Sequence, residues 1–88
     1  MPGRSDVVGV LRALDVGPTA LLNGHIDVCE DRLLDRWSSN AYEPVLRDGR
    51  LFGRGASDMK SALASFLLAV TVLREQDVRL RRDVILQK

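Results

Sequence analysis

The chain has 88 residues, of which 45% are hydrophobic and 28% are charged, and this composition is that of one small globular domain rather than a disordered or fibrous protein. Its formal net charge of +1 excludes strong electrostatic attraction to nucleic acid or to an anionic membrane surface. Cys29 is the single cysteine, so no disulfide forms within the chain.

The sequence carries no sign of a membrane or secretory segment. Residues 1–6 lack the apolar stretch of a signal peptide. The longest apolar run, residues 62–70, is too short to span a bilayer. We therefore expect a soluble cytoplasmic protein without nucleic-acid or membrane partners.

The first half of the chain predicts two strands and a loop. The valine-rich run at residues 7–11 predicts a first strand, and Gly17-Pro18 predicts a turn. Residues 19–25 predict a second strand, whose continuous apolar run is typical of a strand buried on both faces. The polar residues 30–40 predict a surface loop, with Trp37 packed down as its anchor.

The second half predicts a hairpin, a helix and a last strand. Two short extended runs around Asp48-Gly49 indicate a hairpin with a type I′ turn. A loop at residues 53–57 precedes a helix that begins at Asp58 or Met59 and ends near Glu75, with one continuous apolar face. Residues 84–86 predict a strand. This order indicates an α/β fold with a mixed, mostly parallel sheet and a flanking helix, and such folds normally need more strands than are visible, so the domain is expected to be incomplete.

His25 and Asp27 form the first candidate site. Residues i and i+2 of a strand point to the same face, so both side chains are expected together at the carboxyl end of the second strand, where open α/β sheets place their ligands. Imidazole binds divalent metals, and a carboxylate behind it can orient the ring. The alternative is that a single histidine at a strand end is an ordinary surface residue.

Asp58 is the second candidate. It follows Gly53-x-Gly55 and is either a metal ligand or the N-cap of the helix. The two glycines do not make a nucleotide fingerprint, because a third glycine and a P-loop lysine are missing. Cys29 has a thiol that can bind metal, but a small buried residue is the interpretation that we favour.

Together the two motifs resemble the zinc exopeptidase and deacylase family, which includes acetylornithine deacetylase, succinyl-diaminopimelate desuccinylase, aminoacylase and glutamate carboxypeptidases. The matching residues are Leu21-Leu22-Asn23-Gly24-His25-Ile26-Asp27-Val28, then Trp37, then Asp48-Gly49-Arg50-Leu51-Phe52-Gly53-Arg54-Gly55-Ala56-Ser57-Asp58-Met59-Lys60. Ser61-Ala62 stands where the family often has two glycines, and Cys29-Glu30 where valine-proline is common.

The resemblance implies that residues 1–88 are the N-terminal, incomplete part of a metallohydrolase catalytic domain with two divalent metal ions. The ions are expected to be zinc, with cobalt or manganese as alternatives. His25 corresponds to a metal ligand, Asp58 to the aspartate that bridges both ions, and Asp27 to the catalytic aspartate that orients the histidine.

The resemblance also implies hydrolysis of amide bonds in N-acyl amino acids or small peptides. In the family, a Glu-Glu pair that provides the general base and a further ligand follows the strand at 84–86, and a smaller domain often forms a homodimer. Because that pair is not in these 88 residues, we expect the chain alone to be inactive. The alternative is a truncated, non-catalytic product with a structural or interaction role.

Overall fold

Residues 3, 5–30 and 33–88, which the computed structural model describes, form five strands and one long helix. The elements are β1 (Val8–Leu11), β2 (Ala20–Asn23), β3 (Val45–Arg47), β4 (Arg50–Phe52), α1 (Ser61–Glu75) and β5 (Val84–Gln87), with a short 3₁₀ turn at Leu34–Arg36. In the polar segment predicted as a surface loop, Asp31 and Arg32 lie outside the described residues. The predicted order of strands and helix is confirmed.

A three-stranded sheet has β5 at its centre. β1 pairs with β5 antiparallel, and β2 pairs with β5 parallel, so the order is β1-β5-β2. The parallel pair is joined through α1, since parallel neighbours need a long crossover connection. The prediction of a mixed sheet with a flanking helix is confirmed, with one pairing of each kind.

The two turn residues of the hairpin have the backbone conformation that the sequence predicts. β3 and β4 pair antiparallel with Arg47 opposite Arg50. Asp48 and Gly49 between them have φ values of 52° and 71°, and a type I′ turn requires positive φ at both central residues. The predicted turn type is therefore confirmed. The guanidinium carbon of Arg47 lies 4.6 Å from the centroid of the Phe52 ring and closes the hairpin on one face.

The helix begins at Ser61, two residues later than the latest predicted start, Met59. Residues Ala56–Lys60 form one wide π-helical turn, closed by a 3.0 Å hydrogen bond from the Lys60 N–H to the Gly55 carbonyl oxygen. Within this turn Asp58 has an extended backbone, with φ −119° and ψ 99°, and Met59 is also non-helical. Regular helix runs from Ser61 to Glu75, so the predicted end is confirmed and the predicted beginning is wrong.

α1 lies along one face of the sheet. Leu22 and Leu86 from the sheet, and Leu63 and Phe66 from the helix, line the same apolar cleft of about 370 Å³. The apolar stripe predicted for the helix thus faces the strands, as its spacing requires. Leu67 and Leu68 on the same helix are exposed.

The opposite face of the sheet is open. Strand alternation places Val8, Val10 and Leu21 on the side away from Leu22 and Leu86, and these residues are 57%, 44% and 55% exposed. Among the described residues, Ala41 is the only buried hydrophobic residue. One side of the sheet therefore presents apolar side chains without a covering layer in the described part of the chain.

One described segment has the length and composition of a membrane span. Ala56–Glu75 comprises 20 residues with a mean hydropathy of 1.4. The apolar run at 62–70 within it is by itself too short to cross a bilayer. Core helices of soluble proteins have the same properties, and α1 faces the sheet here. The segment is therefore weak evidence for a membrane span.

Candidate metal centre

His25 and Asp27 lie just beyond a strand. The predicted strand at residues 19–25 is longer than the observed one, because β2 ends at Asn23. The Gly24 N–H still donates a 3.0 Å hydrogen bond to the Gln87 carbonyl oxygen, so the sheet fixes the chain up to the residue before His25. The two side chains are placed by a loop rather than by strand alternation, yet they meet as predicted, with 3.4 Å between His25 Nδ1 and Asp27 Oδ1.

The surroundings of the imidazole determine where its proton lies. His25 Nδ1 is 3.1 Å from the backbone carbonyl oxygen of Asp27. A carbonyl oxygen accepts hydrogen bonds and does not donate them, so Nδ1 must carry the hydrogen. The other ring nitrogen, Nε2, is then directed away from Asp27 and is the nitrogen that can bind a metal.

The Nε2 atom of His25 faces Asp58, the second candidate residue. It lies 3.4 Å from Asp58 Oδ1, although the two residues are more than thirty positions apart in the chain. Asp58 reaches this position from the irregular turn before α1. The N-cap alternative is wrong, because α1 begins at Ser61 and its N-cap residue, Lys60, makes no side-chain capping bond.

A cation between a nitrogen lone pair and a carboxylate oxygen would be attracted to both atoms. A proton on Nε2 would give an ion pair, for which the usual N–O distance is about 2.7–2.9 Å. Two ligands of a tetrahedral Zn²⁺, each bonded at about 2.0–2.2 Å, are about 3.4 Å apart. The observed 3.4 Å between His25 Nε2 and Asp58 Oδ1 is compatible with both atoms binding one metal ion.

The pair is open to solvent. The side chains of His25, Asp27 and Asp58 are 47%, 81% and 83% exposed. Within residues 3, 5–30 and 33–88, no group of three or more histidine, cysteine, aspartate or glutamate side chains has an arrangement that could hold a metal ion. Asp27 does not join the pair because it lies on the Nδ1 side of the ring, so the described residues provide two candidate ligand atoms, His25 Nε2 and Asp58 Oδ1.

These side chains line a cleft of about 350 Å³ that also contains Trp37 and Arg54. The guanidinium carbon of Arg54 lies 5.4 Å from the centroid of the Trp37 ring, and the Arg54 N–H donates a 2.6 Å hydrogen bond to the Ala41 carbonyl oxygen. Trp37 is half-buried, which confirms its prediction as a loop anchor. No motif in the sequence predicts a role for Arg54, whose position between Gly53 and Gly55 is its one distinguishing local feature.

Cys29 also lines this cleft, and its thiol is exposed. The interpretation of Cys29 as a small buried residue is therefore wrong. The reason is the early end of β2, which leaves Cys29 in a loop six residues after Asn23 instead of beneath a layer of the fold.

The chain is similar in sequence to two bacterial enzymes. The chain is 41% identical to N-formyl-4-amino-5-aminomethyl-2-methylpyrimidine deformylase of Bacillus subtilis (strain 168), over 98% of this chain and 21% of that protein. It is 52% identical to succinyl-diaminopimelate desuccinylase of Verminephrobacter eiseniae (strain EF01-2), over 59% of this chain and 13% of that protein.

A solved structure and a family model extend these matches. The crystal structure of human carnosine dipeptidase 1 superposes with a TM-score of 0.76 at 27% identity, over 93% of this chain and 18% of that chain. The chain thus spans about a fifth or less of the length of each of these proteins. Residues 21–87 match the model of peptidase family M20/M25/M40, and since this match covers about three-quarters of the chain, the chain belongs to that family.

Proposed function

We propose that this chain is the N-terminal part of the catalytic domain of a hydrolase that cleaves amide bonds in N-acyl amino acids or small peptides, with two divalent metal ions. The observation that carries the proposal is the 3.4 Å separation of His25 Nε2 and Asp58 Oδ1, with the Nδ1 hydrogen held on the side of Asp27. Zinc is the metal that we propose, since imidazole and carboxylate both suit it, with cobalt or manganese as alternatives.

The names of the relatives support this class of substrate. A deformylase, a desuccinylase and a dipeptidase all cleave a bond between an acyl carbon and a nitrogen. In the proposed reaction, water adds to the acyl carbon, the carbon–nitrogen bond breaks, and the leaving nitrogen takes a proton. The products are a carboxylic acid and an amine.

Each residue of the site has a distinct part in the proposal. Bound metal ions would polarise the acyl carbonyl and lower the pKa of an attacking water. Asp27 holds the Nδ1 hydrogen of His25, so that Nε2 keeps its lone pair for the metal. Asp58 has two carboxylate oxygens, is strongly exposed, and can therefore serve as a ligand to both ions.

The remaining groups are proposed to come from the complete protein. β5 pairs in parallel with β2, and Gln87 lies opposite Asn23, so the carboxyl end of β5 is at the edge of the sheet beside His25. A Glu-Glu pair that follows β5, as the family resemblance implies, would enter at this edge as general base and metal ligand. A cytoplasmic location and a homodimeric complete protein belong to the same proposal.

The test uses the complete natural protein. Dialysis against a chelator should abolish hydrolysis of a panel of N-formyl, N-acetyl, N-succinyl and dipeptide substrates, and added Zn²⁺ or Co²⁺ should restore it. His25→Ala should lower both the metal content and the activity. Full activity in the metal-free protein, or a metal content unaffected by His25→Ala, would overturn the proposal.

A further inference from the structure

Gly24, the residue before His25, is buried against the start of α1. A methyl group added to Gly24 would lie 2.6 Å from Cδ2 and 3.1 Å from Cγ of Leu63, and 3.1 Å from Cε of Met59. Met59 is the residue directly after Asp58. The residue just before one proposed ligand therefore packs against side chains that lie one and five positions after the other.

Gly55 makes the reverse contact. It lies three residues before Asp58, and a methyl group added to it would lie 2.6 Å from Cγ1 of Val28. Val28 is the residue directly after Asp27. Gly55 also has a φ of 82°, a region that favours glycine.

We propose that Gly24 and Gly55 are positioning residues that set the distance between His25 and Asp58. We call the two contacts, Gly24 with Leu63 and Met59, and Gly55 with Val28, the glycine interlock. In each contact, a glycine of one segment leaves room for a side chain of the other segment. The two segments therefore pack against each other at two points, which fixes their relative position. This inference rests on the proposed metal site.

The distances show why the interlock is sensitive to one methyl group. Carbon atoms pack best at about 3.5–4.0 Å, so an added methyl 2.6 Å from Leu63 Cδ2 requires a relative movement of about 1 Å. Metal–ligand distances vary by only about 0.2 Å in well-formed sites.

The first experiment measures Co²⁺ binding by the complete protein, whose visible absorption reports the coordination geometry. Gly24→Ala should weaken Co²⁺ binding at least about tenfold and change the absorption of the bound ion. In a Leu63→Ala background, the same Gly24→Ala change should have less than about a twofold effect on affinity. Gly9→Ala is the control, since a methyl group there meets nothing within 4 Å.

The second experiment applies the same measurement to Gly55, and it decides the question if Gly24→Ala does not fold. Gly55→Ala should weaken Co²⁺ binding at least about tenfold, and Val28→Ala should restore part of the loss. Gly49→Ala is the matched control, because Gly49 also has positive φ, at 71°, but a methyl group there meets nothing within 4 Å.

The outcomes separate this inference from the proposed function. If the unaltered protein binds Co²⁺ and His25→Ala abolishes that binding, while Gly24→Ala and Gly55→Ala bind as tightly as their controls, only the interlock is overturned. Loss of binding that neither Leu63→Ala nor Val28→Ala relieves also overturns it. If the unaltered protein binds no Co²⁺, or if His25→Ala leaves binding unchanged, the proposed metal site itself fails.

Discussion

Asp58 reaches His25 because its own backbone is extended where a regular helix would turn the side chain elsewhere. Replacement by alanine removes one of the two proposed ligand atoms. We expect Asp58→Ala to abolish activity of the complete protein and to remove the paired metal site, as measured by metal analysis after dialysis. Asp35→Ala is a suitable control, because Asp35 is an exposed carboxylate in the 3₁₀ turn. Retention of two metal ions per subunit in Asp58→Ala would contradict the bridging role.

In the proposed site, Asp27 would act on the metal only through His25. The Asp27→Asn change removes the carboxylate that lies 3.4 Å from Nδ1, but it keeps the backbone carbonyl contact at 3.1 Å. The ring should therefore keep its orientation but lose the support of the carboxylate. We expect Zn²⁺ affinity to fall about tenfold, which is the lower range for groups that support a ligand. A calorimetric titration that gives unchanged affinity would show that the carboxylate has no such effect.

Local spacing predicted one half of this site and not the other. His25 and Asp27 are two residues apart, so any extended chain brings them close, and their contact survived even though β2 ends early. The contact between His25 and Asp58 depends on two segments joined by a hairpin and loops, and it entered the sequence analysis only through the family resemblance. The contact between Trp37 and Arg54 also joins residues that are distant in the sequence, and no residue pattern predicts it.

Among the structural elements, the hairpin is the one most fully determined by its own sequence. Asp48-Gly49 specifies the turn, and both residues take the positive φ values that it requires. The beginning of α1 shows the opposite case: periodicity indicated helix from Asp58, but the turn at Ala56–Lys60 adopts another backbone path. Apolar periodicity describes which face packs, and it does not fix where the first regular turn begins.

The hairpin turn offers a stability test that is independent of the metal. Gly49→Ala places a side chain at a φ of 71°, which costs about 1–2 kcal/mol in a left-handed conformation. We expect urea unfolding of the complete protein to show a loss of about that size, with unchanged Co²⁺ affinity. Asp48→Gly, which removes a side chain from the neighbouring position at φ 52°, should leave stability unchanged or raise it. Equal unfolding midpoints for Gly49→Ala and the unaltered protein would contradict the assigned turn.

The start of β5 is tied to the chain after β1 through Asp83. The N–H of Ala13 donates a 2.6 Å hydrogen bond to Asp83 Oδ1, and this bond is the main cause that lowers the pKa of Asp83. Partial burial opposes the shift, and the Arg12 guanidinium, 2.9 Å from Oδ2, lowers the pKa further. The ionised carboxylate therefore joins β1 and β5 at the end of their ladder, where Leu11 faces Val84.

A lowered pKa in the folded state makes stability depend on pH. The contribution of Asp83 is fully present above its unfolded-state pKa, near about 3.9, and it is lost as the pH falls through the lower folded-state value. We expect the midpoint of thermal unfolding to fall on acidification below about pH 4, and Asp83→Asn to show a smaller fall because it has no carboxylate to protonate. Parallel pH profiles for the two proteins would mean that Asp83 has no part in the acid sensitivity.

The described chain is flat and open for its size. Its accessible surface is 7435 Å², whereas a compact protein of 9.8 kDa is expected to expose about 5,200 Å². The radius of gyration is 16.9 Å, against about 12 Å for a compact domain of this length. The continuous apolar run at residues 19–25 predicted a strand buried on both faces, but Leu21 of β2 is 55% exposed, so this prediction is wrong for the described part of the chain. An apolar pattern does not specify what covers the second face of a strand.

This openness leads to a prediction for the 88-residue polypeptide on its own. With Val8, Val10 and Leu21 exposed on the uncovered face of the sheet, hydrophobic burial is too small to offset the loss of chain entropy. We expect the isolated polypeptide to bind a hydrophobic dye such as ANS, to unfold without a sharp thermal transition, and to show no metal-dependent hydrolysis of N-acyl amino acids. Replacing all three residues with threonine should reduce dye binding, because threonine keeps the β-branched shape suited to strands while reducing apolar surface. A cooperative melt together with chelator-sensitive turnover would show instead that these residues form a self-sufficient enzyme, in which His25 and Asp58 find their remaining metal ligands within this chain or in a second copy of it.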